Sequence, residues 1–256
     1  MVQSEGIGNI KTNQAQQSGQ MEFFSNPLMA DTESDWSPIH DAAYNGRLLS
    51  LSRIIEQGAS VNLVTLDQIS PLHVACRQGH TACVKTLLEH GANVNISSIN
   101  WNTPLSDACG HGNAACVDLL LRHGASTQGG STTTSPIHQA AAKGHTECIE
   151  SLLKYGVDID QSTDQAGPPL YTACANQHLS TVKRLLQLGA SVNCSKNGDS
   201  ALHLAAQLSN PELVKTLLDH GADHKAKNKA GKLPVDIAPP NSAVVKLLKQ
   251  TTGSSI

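Results

Sequence analysis

The chain has 256 residues, 39% hydrophobic, 15% charged and only 3% aromatic, with a net charge of −3. That balance leaves no basic footprint for nucleic acid or for an anionic membrane surface, and there is no apolar run of about 18 residues to span a bilayer. The N-terminus lacks the apolar core of a secretory signal, so a soluble cytoplasmic protein is expected.

Residues 1–20 are rich in Gln, Gly, Ser and Asn, with little to bury, and are predicted to be disordered. The composition then changes over residues 21–35. Phe23 and Phe24, the two phenylalanines of the chain, stand there with Pro27, Leu28 and Met29. Two readings of this segment stay open: a cap over the first structural unit, or an apolar contact for a partner.

From Trp36 the sequence repeats itself. A Ser/Thr-Pro-apolar-His tetrad starts at Ser37, Ser70, Thr103, Ser135, Pro168, Ser200 and Leu233, in steps of 32 or 33 residues. Gly58, Gly91, Gly124, Gly156, Gly189 and Gly221 keep the same beat in a second phase. Within one unit, Ser70 is placed to cap a helix whose first position is Pro71, where a missing N–H loses nothing. That helix is predicted to run to about Arg77. Gly79 then permits a tight turn into a second helix, with Val84, Leu87 and Leu88 on its buried face. Gly91 ends the second helix, and the residues up to the next Pro form a turn-rich finger. Helix, turn, helix and finger at this period, with the wording Thr-Pro-Leu in Thr103–Leu105, match the ankyrin repeat. The predicted fold is an all-α ankyrin solenoid over residues 36–250, with six full repeats, a truncated seventh and short β-hairpin fingers. Repeat five is weak, with Pro168 in place of the capping hydroxyl and Gln177 in place of the turn glycine. The loop 129–134 is predicted to be flexible. Pro239-Pro240 cuts the seventh unit short, a last helix over Ala243–Leu248 closes the array, and residues 251–256 are predicted to be unstructured.

Seven cysteines and twelve histidines invite a chemical reading, but they follow the repeat. Cys76, Cys109 and Cys174 share a register with Ala43, Ala141 and Ala206, so they read as small buried hydrophobes; Cys194, in a finger, reads as a free thiol. His40, His73, His138 and His203 share another register, whose expected role is a hydrogen bond to the neighbouring loop backbone. No nucleophile set, phosphate loop or metal spacing is present, so the expectation is a non-enzyme with no cofactor and no metal. Function is assigned to the positions that vary inside the fixed frame, on the concave face of the first helices and on the finger tips. The candidates are Trp36, Asp41, Tyr44, Asp67, Arg77, Trp101 and Asp107, together with Phe23, Phe24, Pro27, Leu28 and Met29. Trp101, at a finger tip, is the foremost of them, with two readings open: an interface anchor or an indole packed on the next finger.

The wording Ser-Pro-Ile-His (Ser135–His138) and Pro-Leu-Tyr-x-Ala-Cys (Pro169–Cys174), together with Ser25-Asn26-Pro27-Leu28-Met29 ahead of Trp36-Ser37-Pro38, resembles the ankyrin repeat and SOCS box family. The resemblance runs from about Ser25 to Leu248. It implies the substrate receptor of a cullin-RING ubiquitin ligase, with the repeats holding the target and a SOCS box holding elongins and cullin. It also implies creatine kinase as a target, because a member of the family is associated with that enzyme. Only Thr251 to Ile256 follow the last predicted helix, where the family places the SOCS box, so either a truncated chain or a natural short form is expected. The short form would be a scaffold or competitor that binds the target without recruiting the ligase.

Overall fold

A computed structural model describes residues 36–128, 135–163 and 165–253. The segment 21–35, the loop 129–134 and Asp164 lie outside the described residues, as do the expectations placed on them. Helices alternate as the period requires: α1 Pro38–Tyr44, α2 Leu48–Glu56, α3 Pro71–Gln78, α4 Thr81–Glu89, α5 Pro104–His111, α6 Ala114–Arg122, α7 Pro136–Lys143 and α8 Thr146–Lys154. They continue with α9 Pro169–Ala175, α10 Leu179–Gln187, α11 Ala201–Gln207, α12 Pro211–Asp219, α13 Pro234–Ile237 and α14 Ala243–Gly253. Odd-numbered helices pack on odd-numbered neighbours, and even on even, in two layers.

The core lies between the layers. Leu87, Leu120, Leu152, Leu185 and Leu217 of the second helices are fully buried beside Leu72, Leu105, Ile137, Leu170 and Leu202 of the first. Each such side chain contributes about 2 kcal/mol by leaving water. All seven cysteines are buried and unpaired. Burial pushes the Cys174 and Cys194 thiols up to about 12, so they are packing groups at neutral pH.

Three ladders of polar bonds tie each unit to the next. In the first, the fourth-position histidine donates from Nε2 to a carbonyl 29 residues on: His40 to Ile69 (3.0 Å), His73 to Asn102 (2.9 Å), His138 to Gly167 (2.7 Å) and His203 to Lys232 (3.0 Å). The other ring nitrogen of His73 accepts from the Ser70 N–H at 3.2 Å, which closes a capping box and fixes the neutral tautomer. Ser106 replaces the histidine in repeat three, and its hydroxyl bonds locally to Thr103. The second ladder joins the interhelical turns. His80 and His178 donate to the carbonyls of Tyr44 and Ala142, and Asn113 to those of Cys76 and Arg77. These side chains lie directly over the turn glycines of the preceding unit. A Cβ on Gly112 would stand 2.6 Å from Nδ1 of His145, and its φ is 80°, so both the backbone and the next repeat require glycine there. The third ladder runs through the fingers, where Asn62, Asn95 and Asn193 accept from the N–H groups of Asn93, Ser126 and Asp223.

Among the described residues, one finger pairs as strands: β1 Ser195–Lys196 with β2 Asp199–Ser200, antiparallel. The reason is local. Asn197 and Gly198 have φ of 57° and 96°, the two positive values of a type I′ turn, which matches strand twist. Other fingers close instead by a bond from residue i to i+4, as from the Thr65 N–H to Ile69 and from the Ser98 N–H to Asn102, and so are turns and not ladders. The C-terminal helix is longer than its sequence predicts, continuing past Gln250 to Gly253. Val244 and Leu248 bury its inner face, and Lys249 and Gln250 are good helix formers that let it propagate.

Candidate protein-binding surface

The finger tips and first helices carry the predicted binding residues, and the structure divides these into two groups. The first group is engaged within the chain. Asp41 of α1 accepts from Arg47 and from Asn45, both at 2.8 Å. Arg77 of α3 reaches across to α5, and its Nε lies 2.9 Å from Oδ2 of Asp107. The Asp107 side chain is only 6% exposed; burial pushes its carboxyl up, and the Arg77 charge and hydrogen bond counter that. Position five of the repeat, expected to vary on an exposed surface, divides. Val74, Asp107 and Thr172 are buried at the seam between adjacent first helices, whereas Asp41, Gln139 and Leu204 are half-buried. Position eight faces outward, with Tyr44 exposed and Arg77 half-buried.

The second group stands in water. Trp36 and Tyr44 are exposed and meet edge to face, ring centroids 6.1 Å apart. Trp101 is 60% exposed at the tip of its finger and sits in the left-handed region at φ 61°. Its neighbours are Leu66 (81% exposed) and Ile99 (60%), whose fingers are joined by the Ile99 N–H donating to the Asp67 carbonyl at 3.0 Å. The Asp67 side chain is exposed beside them. Sequence reasoning selected Trp101 and Asp67 from this cluster and placed Leu66 at the same finger tip, but missed Ile99. Its signal was available: it is an aliphatic residue in a turn, two positions before Trp101. Phe23, Phe24, Pro27, Leu28 and Met29 fall outside the described residues.

A polar groove of about 380 Å³ adjoins the Trp101 finger, lined by Asn102, Asp107, Gly110, His111, Gln139 and Lys143. Gly110 stands at position eight, so no side chain fills the space between α5 and α7. Among the described residues, no three His, Cys, Asp or Glu side chains gather where they could hold a metal ion, and no helix is long and apolar enough to cross a membrane.

Comparison with known proteins agrees with this geometry. Residues 14–98, 39–129, 96–163 and 137–228 match the family model for ankyrin repeats (3 copies). Ankyrin repeat and SOCS box protein 9 of Homo sapiens is 64% identical over 231 residues, covering 90% of this chain and 79% of that protein. Ankyrin repeat and SOCS box protein 11 of Homo sapiens is 54% identical over 220 residues, covering 86% and 68%. The crystal structure of the human ASB11 ankyrin repeat domain superposes with a TM-score of 0.79 at 48% identity, covering 84% of this chain and 97% of that one. That of the Bcl-3 ankyrin repeat domain gives 0.71 at 29%, covering 83% and 98%. With relatives this similar over most of their length, the chain belongs to the ankyrin repeat and SOCS box family as a protein-binding module.

Proposed function

We propose that this chain is the non-catalytic, substrate-recognition part of an elongin- and cullin-containing ubiquitin ligase, holding a folded protein target on its first three repeats. The observation that carries this reading is the Leu66, Ile99 and Trp101 group: large apolar side chains exposed on adjacent fingers. A non-glycine residue at positive φ is disfavoured locally, and at Trp101 it turns an indole outward on a hydrogen-bonded finger. Aromatic anchors in such settings dominate protein interfaces.

Creatine kinase is the target we place first, on the family resemblance of the sequence. Residues 21–34, with their two phenylalanines, are assigned to the same contact. Seven unpaired cysteines fit a reducing compartment, and the cytoplasm is the proposed location. Titration of the intact chain with creatine kinase tests the reading. Trp101→Ala should weaken binding about tenfold or more while leaving thermal unfolding unchanged, and deletion of residues 21–34 should do the same. Unaltered affinity in both variants would remove this surface from the interface. Ligase recruitment is tested separately by co-capture of elongins with the full chain from cells; their absence while creatine kinase is retained would leave a target binder alone.

A further inference from the structure

The groove between α5 and α7 has a chemistry distinct from the apolar finger tips beside it, and its parts can be counted. On α1, α3, α5 and α7, the Asp41 carboxylate is paired with Arg47, and Arg77 is paired with Asp107. Lys143 at the end of α7 is exposed and forms no ion pair among the described residues. Gln139, one turn earlier on α7, contributes an amide with no side-chain hydrogen bond among the described residues, and Asn102 contributes another from the finger. His111 closes the wall, its Nδ1 held on the Asp107 carbonyl at 2.8 Å and its Nε2 left over. The one carboxylate of the groove, Asp107, is buried and already neutralised by Arg77. The groove therefore offers a cation and several N–H donors, with no unpaired negative charge to oppose an anion. Its volume of about 380 Å³ suits a side chain and not a folded element, and it exists because residue 110 is glycine. A Cβ there would meet only Gln139, at 3.7 and 4.0 Å.

We infer that this groove receives a carboxylate side chain, Asp or Glu, from a protruding loop of the target protein, with Lys143 as its ion-pair partner and Gln139 and Asn102 as hydrogen-bond donors. The inference rests on the proposed target-binding role and specifies its chemistry: an apolar anchor on Leu66, Ile99 and Trp101, and an acidic anchor in the groove at Lys143.

The experiment is arranged so that the groove and the target are judged separately. The isotope-labelled full chain is titrated by NMR with acetyl-Ala-Glu-Ala-amide and with its Gln counterpart. Saturable amide shifts at Gly110 and Lys143 are expected with the Glu peptide alone, with a dissociation constant of about 1–10 mM, as suits so small a ligand. They should vanish in Lys143→Glu, and in Gly110→Leu, which fills the groove at a position with room for the side chain. Equal shifts with both peptides, or none up to about 20 mM, overturn the inference. In the complex with creatine kinase, Lys143→Glu should weaken binding about tenfold, and more at low salt than at high. If Trp101→Ala weakens that complex and Lys143→Glu does not, the acidic anchor is wrong while the apolar one stands.

Discussion

Gln177 occupies the turn position that glycine fills at Gly79, Gly112 and Gly144, and it takes the same left-handed backbone, with φ 58°. A side chain there is disfavoured by about 1 kcal/mol, and Gln177 recovers only an exposed bond from the Asn210 amide at 3.2 Å. Gln177→Gly is therefore expected to raise unfolding stability by about 0.5–1 kcal/mol, read as a higher urea midpoint with an unchanged slope. His73 makes a prediction of opposite kind. Burial, opposed by the bond to Asn102 and aided by the Arg77 charge, lowers its pKa from 6.5 to about 4. The unfolded chain then takes up a proton between pH 6.5 and 4 that the folded chain refuses. Stability is full above about pH 6.5 and falls with pH, by on the order of 3 kcal/mol near pH 4. Burial lowers the pKa of His138 as well, adding to the trend. His73→Ser, the residue type that repeat three carries at Ser106, should flatten the profile; an equal slope in the variant would assign acid sensitivity to other groups. The role of these histidines was legible because one residue type recurs in one register. The turn ladder was legible only in part: His80 and His145 share a register with a structural role, but Asn113 performs the task of His80 and His178 with another residue type.

At the scale of elements, α3 and α5 are joined by an ion pair across the seam between them. Arg77 is 31% exposed and Asp107 6%, so truncating the arginine leaves a buried carboxylate with no counter-charge. Arg77→Ala is expected to destabilise by about 2 kcal/mol, below the range for fully buried pairs because Arg77 is partly solvated. A double-mutant cycle with Asp107→Ala should show coupling between the two sites; additive losses would mean that the pair contributes nothing of its own. This seam was hidden from the sequence. Helix starts and stops are marked by Pro and Gly, but rotation about the axis of an eight-residue helix is not, and Val74, Asp107 and Thr172 share no hydropathy that would mark these three as buried. The strand pair was legible in retrospect, since Asn197-Gly198 dictates a hairpin where the other fingers lack that dipeptide.

Across the whole array, each unit touches mainly its neighbours, so local weakness is not averaged away. Repeat five begins at Pro168 without a side-chain cap and turns through Gln177, whereas repeat three has a complete capping box and Gly112. Amide hydrogen exchange should therefore open α9 and α10 before α5 and α6; equal protection in the two pairs would show that packing between units outweighs the caps. The repeat frame was readable from the first tetrads, because a fixed period reports a fixed contact. The binding surface was only half readable: a residue that departs from the repeat is visible in the sequence, but whether it departs into water, as Trp101 does, or into a seam, as Asp107 does, is decided by the packing of its neighbours.

The three ladders also make the array indifferent to its own length. Every rung spans about one period, so removing residues 70–102 would leave His40 with its carbonyl at Ile69, bring Asn113 to the Tyr44 carbonyl that His80 now serves, and offer Asn62 the Ser126 N–H that Asn95 now holds. No rung records which copy it joins. In genetic terms the unit of duplication and loss is the whole repeat, cut at equivalent positions, and a lineage can lengthen or shorten this protein without inventing a new contact.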